Sequence, residues 1–208
     1  MEIIPGILVH SLEELKQTLK KLSWAKKIHI DIMDGKFVPN QTIQLAELKK
    51  INPKQNMQIH LMAHKPETYV KGFAKLGVKE FIYHAETSKQ NKILIEKIKK
   101  TGMKAGIAFN PETTINKFKN AIKEAELALI MTIHPGFSGQ KLIKKPLAKI
   151  KQIKTINQNI SVGIDGGFNL TNCNLVKTSE TDFAIATSAI TKQKKSKEAY
   201  TKLRKKSN

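Results

Sequence analysis

Eight short apolar runs recur along the chain at intervals of about 20–27 residues, each followed by a stretch of helical spacing or composition. The strand candidates are 3–9, 28–32, 58–62, 80–84, 104–109, 127–133, 161–164 and 182–186. The first helix is marked by a capping box, Ser11-Leu12-Glu13-Glu14, with Leu12, Leu15, Leu19 and Leu22 at helical spacing. Further helices are expected over 42–51, 66–76 (opened by Pro66 and ended by Gly77), 88–101, 111–123, 141–156, 170–178 and 195–205. The runs are apolar on both faces, as parallel strands covered by helices should be. An α/β chain of eight such units closes naturally into a barrel, and 208 residues, read as one domain over 1–208, sits at the compact end of that architecture. An open doubly wound sheet is the alternative, but no G-x-G-x-x-G follows the first strand.

In such a barrel the C-terminal ends of the strands carry the active site, and polar residues break the apolar runs there. His29, Asp31 and Asp34 interrupt the segment IHIDIMDGKFVPN, and His60 lies in the third run. His84 and Glu86 end the fourth, while Asn110, His134, Asp165 and Ser188 follow the fifth to the eighth. Alternation puts His29 and Asp31 on one side of their strand, so both can face the barrel mouth. His60 and Asp165, from other strands, can converge on the same point. Two histidines and two carboxylates suit a divalent transition metal. Any one of these histidines taken alone is more simply a satisfied core or rim residue, and Asp31 a loop cap. Asp34 reads as a brace for its loop rather than a reacting group. Three glycine-containing or small-residue loops, HPGFSGQ at 134–140, DGGFN at 165–169 and TSAI at 187–190, follow strands six, seven and eight. Glycine lets backbone N–H groups approach an anion closely, and barrels often bind phosphate in this quadrant.

The net charge of +20 invites a nucleic-acid reading, which the residues behind it argue against. Of 37 basic residues 36 are lysine, Arg204 is the lone arginine, and aromatics make up 6%. That leaves neither guanidinium forks for bases and phosphates nor a stacking platform. A solvated lysine-rich surface results, one that helps to collect an anionic substrate. Neither nucleic acid nor a membrane is an expected partner. No apolar run approaches the roughly 20 residues of a bilayer span, and the start MEIIPGILVH carries no basic leader. A single cysteine, Cys173, excludes an intrachain disulfide and fits a reducing cytoplasm.

The segments IHIDIMDGKFVPN, HLMAHKPETYV, FIYHAET, GIAFNPET, MTIHPGFSGQKLI and IDGGFN, in this order, resemble the ribulose-phosphate 3-epimerase family from about residue 3 to residue 190. The resemblance implies a single-domain (β/α)8 TIM barrel with parallel strands. It implies an isomerase that interconverts ribulose 5-phosphate and xylulose 5-phosphate, and a homo-oligomer. It also implies one divalent metal, zinc or iron first, with manganese, cobalt or magnesium as further options. Carried over by position, the metal ligands are His29, Asp31, His60 and Asp165, and Asp31 and Asp165 double as the catalytic acid/base pair. Substrate, chiefly its phosphate, falls to His60, Gly136, Phe137, Ser138, Gly139, Asp165, Gly166, Gly167, Thr187 and Ser188.

These residue types suit that chemistry. The proton on carbon 3 is acidified by the neighbouring ketone, and epimerisation removes it from one face and returns it to the other. Two carboxylates on opposite faces do this more simply than one. Three positions depart from the family pattern. P-S-I-L-S is Pro5-Gly6-Ile7-Leu8-Val9, so the usual substrate-contacting serine is Gly6. N-P-G-F-G-G is His134-Pro135-Gly136-Phe137-Ser138-Gly139, and the usual G-S after strand eight is Thr187-Ser188. Epimerisation of a longer ketose such as allulose 6-phosphate, or binding of a phosphosugar without turnover, are the competing readings.

Overall fold

Each apolar run forms a parallel strand in the computed structural model, which describes residues 1–51 and 53–207; Asn52 and Asn208 lie outside the described residues. The strands β1 (Glu2–Ile7), β2 (Lys27–Met33), β3 (Asn56–Met62), β4 (Glu80–His84), β5 (Lys104–Phe109), β6 (Leu127–Met131), β7 (Ser161–Asp165) and β8 (Phe183–Ala186) pair in sequence order, and β8 closes on β1. Helices α1 (Leu12–Lys21), α2 (Leu45–Ile51), α3 (Val70–Lys75), α4 (Asn91–Lys99), α5 (Lys119–Glu124), α6 (Ala148–Ile156), α7 (Cys173–Thr178) and α8 (Ser196–Ser207) alternate with them. No helix among the described residues is long and apolar enough to cross a membrane.

Alternation along each strand divides the apolar residues into two cores. Outward residues such as Ile30, Leu61, Tyr83 and Ile164 pack under Leu15, Leu48, Ile95 and Ile153 of the helices, each fully buried Leu or Ile contributing about 1.5–3 kcal/mol. Inward residues Ile4, Ile82, Ala108, Leu127, Leu129, Met131, Phe183 and Ile185, from β1, β4 to β6 and β8, fill much of the barrel. Polar residues gather on β2 to β4, where His29, Gln58, His60 and His84 are all fully buried.

The helices begin later than their sequence pattern suggests where the preceding residues are engaged elsewhere. At α1 the capping residue is Ser11, whose Oγ accepts the Glu14 N–H at 3.2 Å. The Glu14 carboxylate reaches back to the N–H of His10 at 2.8 Å, one residue ahead of the cap. α2 starts at Leu45, not 42, because Thr42 and Gln44 clamp the exit of β2. Thr42 Oγ1 accepts the Met33 N–H (2.9 Å) and donates to the Asp31 carbonyl (2.8 Å), and Gln44 donates to the Met33 carbonyl (2.7 Å). The 111–123 stretch opens as a turn, since the Glu86 carboxylate draws in the Asn110 N–H (2.9 Å) and the Thr113 hydroxyl; a 3-10 turn over Ile115–Phe118 then leads into α5. Ahead of α6, the Ile143 N–H is tied to the Thr132 carbonyl at 2.7 Å. Ahead of α7, Asn172 donates to the Gly167 carbonyl at 2.8 Å. TSAI, read as a loop, winds into a π-helical turn over Thr187–Thr191.

Asp34 is the brace its sequence context suggested. Oδ1 accepts the N–H groups of Lys36 (2.9 Å) and Phe37 (3.0 Å), and Oδ2 accepts that of His64 (2.7 Å), joining the β2 and β3 exits. Burial works to raise its pKa, but the amides of Phe37, His64 and Lys36 outweigh it and hold the carboxyl below its ordinary value. A group depressed in this way stabilises fully above its unfolded pKa and loses that contribution as pH falls through the folded one. Asp34→Ala is therefore expected to cost about 1 kcal/mol at neutral pH, allowing for solvent screening at this partly exposed site. In urea titrations the gap between variant and wild type should close below about pH 4; a gap independent of pH would remove the carboxylate from the account.

Candidate active site

The seven-residue ladder between β2 and β3 sets His29 opposite Gln58 and Asp31 opposite His60, and β6 sets Met131 opposite Asp165. The ring then carries Asp165 at the end of β7 towards the β2–β3 pair. One ligand atom from each of His29, Asp31, His60 and Asp165 lies within 4.8 Å of the others. His60 Nδ1 is 3.0 Å from Asp31 Oδ1 and 3.4 Å from Asp165 Oδ2. His29 Nε2 is 3.3 and 3.9 Å from the same two oxygens. Both histidines are fully buried, and Asp31 and Asp165 are only 4% and 8% exposed.

Burial alone would drive these groups to their neutral forms. At Asp31 the nearby imidazoles of His29 and His60, the latter hydrogen-bonded to it, overcome that push and hold the carboxyl well below the usual range. At His60 burial is likewise overcome, by Asp165 and Asp31, and the imidazole is raised to about 9. The cluster thus favours positive charge between two carboxylates, which is where a cation would sit.

A chain of hydrogen bonds running down the barrel interior fixes the orientation of His29. The Lys27 ammonium, a donor only, meets Glu80 at 2.8 and 2.9 Å. Glu80 accepts from the Gln58 amide nitrogen at 2.5 Å, which turns the Gln58 carbonyl to His29 Nδ1 at 2.6 Å. That ring nitrogen therefore carries the proton, and Nε2 presents its lone pair to the two carboxylates. It is buried with no hydrogen-bond partner among the described residues. A buried, unpartnered imidazole nitrogen beside two carboxylates fits a divalent metal ion.

In front of the cluster opens a cleft with an apolar wall and a few convergent polar groups. Asp31 and Asp165 line it, as do all the residues expected from the three loops: Gly136, Phe137, Ser138, Gly139, Gly166, Gly167, Thr187 and Ser188. His29 and His60 stand behind the carboxylates and are not among its lining residues. Met33, Met62 and Met131 line it as well, with Leu8, Ile133 and Ile185. Sequence reasoning passed over them, although Met33 and Met62 follow Asp31 and His60 by two residues and so share their face. Asn40 ties the β2 loop to the β6 loop through the Gly136 carbonyl at 2.5 Å. His134 turns out to solvent, 3.6 Å from Glu112.

Gly166 and Gly167 have φ of +117° and +70°. A side chain on Gly166 would press into Ile133, and one on Gly167 would lie 2.5 Å from the Leu142 backbone nitrogen. Backbone geometry and packing require glycine here before any anion is considered. Gly6 has a different reason. A Cβ there would strike the Thr187 hydroxyl and sit 3.2 Å from Thr187 Cβ. The Thr187 side chain, just after β8, therefore takes the room that a side chain at position 6 of β1 would need.

Comparison with known proteins agrees with this geometry. The family model described as "Ribulose-phosphate 3 epimerase family" matches residues 2–191. The ribulose-phosphate 3-epimerase of Bacillus subtilis (strain 168) is 33% identical over 213 aligned positions, covering 98% of each chain. That of Chlamydia muridarum is 32% identical, covering 89% of this chain and 86% of its own. Among solved structures, orotidine 5'-phosphate decarboxylase from Lactobacillus acidophilus superposes with a TM-score of 0.66 at 15% identity, covering 100% of this chain and 99% of its own. A tryptophan synthase alpha-subunit from Pyrococcus furiosus does so at 0.69 and 16%, covering 99% and 96%. These structural matches share the barrel fold. With the family model spanning nearly the whole length and relatives about one-third identical throughout, the chain belongs to the ribulose-phosphate 3 epimerase family.

Proposed function

We propose that the chain interconverts D-ribulose 5-phosphate and D-xylulose 5-phosphate, with Asp31 and Asp165 as the two proton-transfer groups. One observation carries the reading: two carboxylates reach one cavity from β2 and β7, three places apart in the ring, and both lie within 3.4 Å of His60 Nδ1. From such positions they can flank a planar intermediate. One takes the carbon 3 proton from its face, while the other, entering the step protonated, returns a proton to the opposite face. His29 Nε2, His60 Nδ1 and the two carboxylates would hold the metal, for which this mixed nitrogen and oxygen set favours zinc or iron. When bound, it supplies a Lewis acid for the negative charge that develops on oxygen 2. Met33, Met62 and Met131 keep the reacting end apolar and dry. The Ser138 and Ser188 hydroxyls and the glycine loops hold the phosphate at the other end.

Purified protein given ribulose 5-phosphate and allulose 6-phosphate in parallel, with and without added divalent metal, tests the reading. Turnover of the pentulose that rises with metal is expected; turnover of the hexulose alone would reassign the substrate. Protein prepared without chelators should carry one metal per chain, lost in His29→Ala and in His60→Ala. Unchanged metal content in both would sink the ligand assignment.

Asp31→Asn and Asp165→Asn should each lower kcat in both directions beyond the ~10²–10⁴-fold typical of removing one acid–base group, since each also weakens a ligand. Either variant can still exchange the carbon 3 hydrogen with heavy water on its remaining face, visible by NMR without epimerisation. Full epimerase activity in either would refute the two-base scheme.

The exchange between Gly6 and Thr187 gives a separate expectation. Gly6→Ser alone should raise KM about tenfold or more, because the new side chain displaces Thr187 from the cavity wall. Gly6→Ser combined with Thr187→Gly should recover most of that loss. Additive damage in the double variant would show that the two positions do not share one space.

A further inference from the structure

His84 and Glu86 lie beside the site, and the reaction as derived gives them no part. His84 is fully buried, its Nε2 3.0 Å from His60 Nε2 and its Nδ1 3.3 Å from Glu86 Oε2. The other Glu86 oxygen is occupied by the Asn110 N–H at 2.9 Å and the Thr113 hydroxyl. The rings of His60 and His84 are inclined by only 23°, and Phe37 packs on His84 with centroids 4.8 Å apart, so neither imidazole can turn freely.

Proton placement follows from these contacts. A carboxylate only accepts, so His84 Nδ1 facing Glu86 carries a proton. Two ring nitrogens 3.0 Å apart share a single proton. With His84 neutral and protonated on Nδ1, its Nε2 is the acceptor and His60 Nε2 the donor. His60 Nε2 thus keeps its proton, and Nδ1, which faces Asp31 and Asp165, is the nitrogen that gives up a proton when a metal ion takes its place there.

We propose that Glu86 and His84 form a positioning relay that fixes the tautomer and ring angle of His60, so that Nδ1 is presented to a divalent metal ion. The inference rests on His60 being a ligand, as the proposed function has it, and adds two residues that touch neither metal nor substrate. Groups placed in this way behind a ligating histidine orient the ring and raise its basicity.

Glu86→Gln tests the relay at nearly constant volume. The carbonyl of the introduced amide stays with the Asn110 and Thr113 donors, so the amide nitrogen faces His84 and forces that ring to the Nε2–H tautomer. Two N–H groups then oppose each other, and His60 loses its acceptor. The readouts are the nitrogen-15 NMR signatures of the histidine rings and the affinity for zinc(II), measured by competition with a chromophoric chelator. In the wild type, His84 should be the neutral Nδ1–H form, and His60 should keep its Nε2 proton when zinc is bound. Glu86→Gln should switch the His84 tautomer and weaken zinc binding about 10–100-fold. His84→Phe should weaken it similarly, and the double variant no further. Thr113→Val, which leaves the carboxylate facing His84, should stay within about twofold of wild type.

A wild-type His84 protonated on Nε2 would overturn the relay, and it needs no variant to fold. So would wild-type zinc affinity in Glu86→Gln, or a wild-type chain that takes no zinc. Sugar turnover is assayed separately: zinc binding with the expected tautomers but no turnover of ribulose 5-phosphate leaves the relay standing and removes only the epimerase reading.

Discussion

Everything at the mouth of this barrel depends on how β2 and β3 are aligned. Their ladder runs unbroken from Lys27 opposite Asn56 to Met33 opposite Met62. Because side chains alternate strictly, that one alignment sends His29, Asp31, Gln58 and His60 inward and Ile28, Ile30, Ile32, Ile59 and Leu61 outward under the helices. A slip of one residue would exchange the two sets, burying charged groups in an apolar layer and stripping the helices of their contacts. Thr42 guards against it from outside the ladder, holding the Asp31 carbonyl and the Met33 amide with one hydroxyl. Fold and site are therefore selected together.

Within the cluster the labour is divided by depth. The histidines have no surface, and their outer nitrogens are committed to Gln58 and His84. The carboxylates keep one edge in the cavity. Groups that must hold something still are packed behind, and groups that must meet a changing partner stand in front. The remaining interior, from Ile4 to Ile185, is packed with aliphatic and aromatic side chains.

The eight-unit order, the barrel and the convergence of His29, Asp31, His60 and Asp165 were legible in the sequence, because each rests on a local pattern: apolar runs at regular intervals and polar residues that interrupt them at fixed places. Beyond α1, whose Ser11 cap was legible, several helix starts were not. Thr42, Thr113 and Asn172 fit a helix by composition, and tertiary hydrogen bonds recruited them first. His84 and Glu86 stood out as polar at a strand end, but what they face depends on the neighbouring strand's register. The link between Gly6 and Thr187 is least visible of all. The two lie 181 positions apart in the chain, and only the closure of β8 on β1 makes them neighbours.

Barrels of this architecture usually separate an end that reacts from an end that only holds the fold together. The line of side chains from Lys27 through Glu80 and Gln58 to His29 crosses that division. Lys27 sits at the floor, where sequence drift is ordinarily cheap, yet it orders the imidazole at the mouth. Such a wire restricts the neutral paths open to the lineage: the floor of this barrel cannot be redecorated without rewriting the hydrogen-bond polarity of its interior.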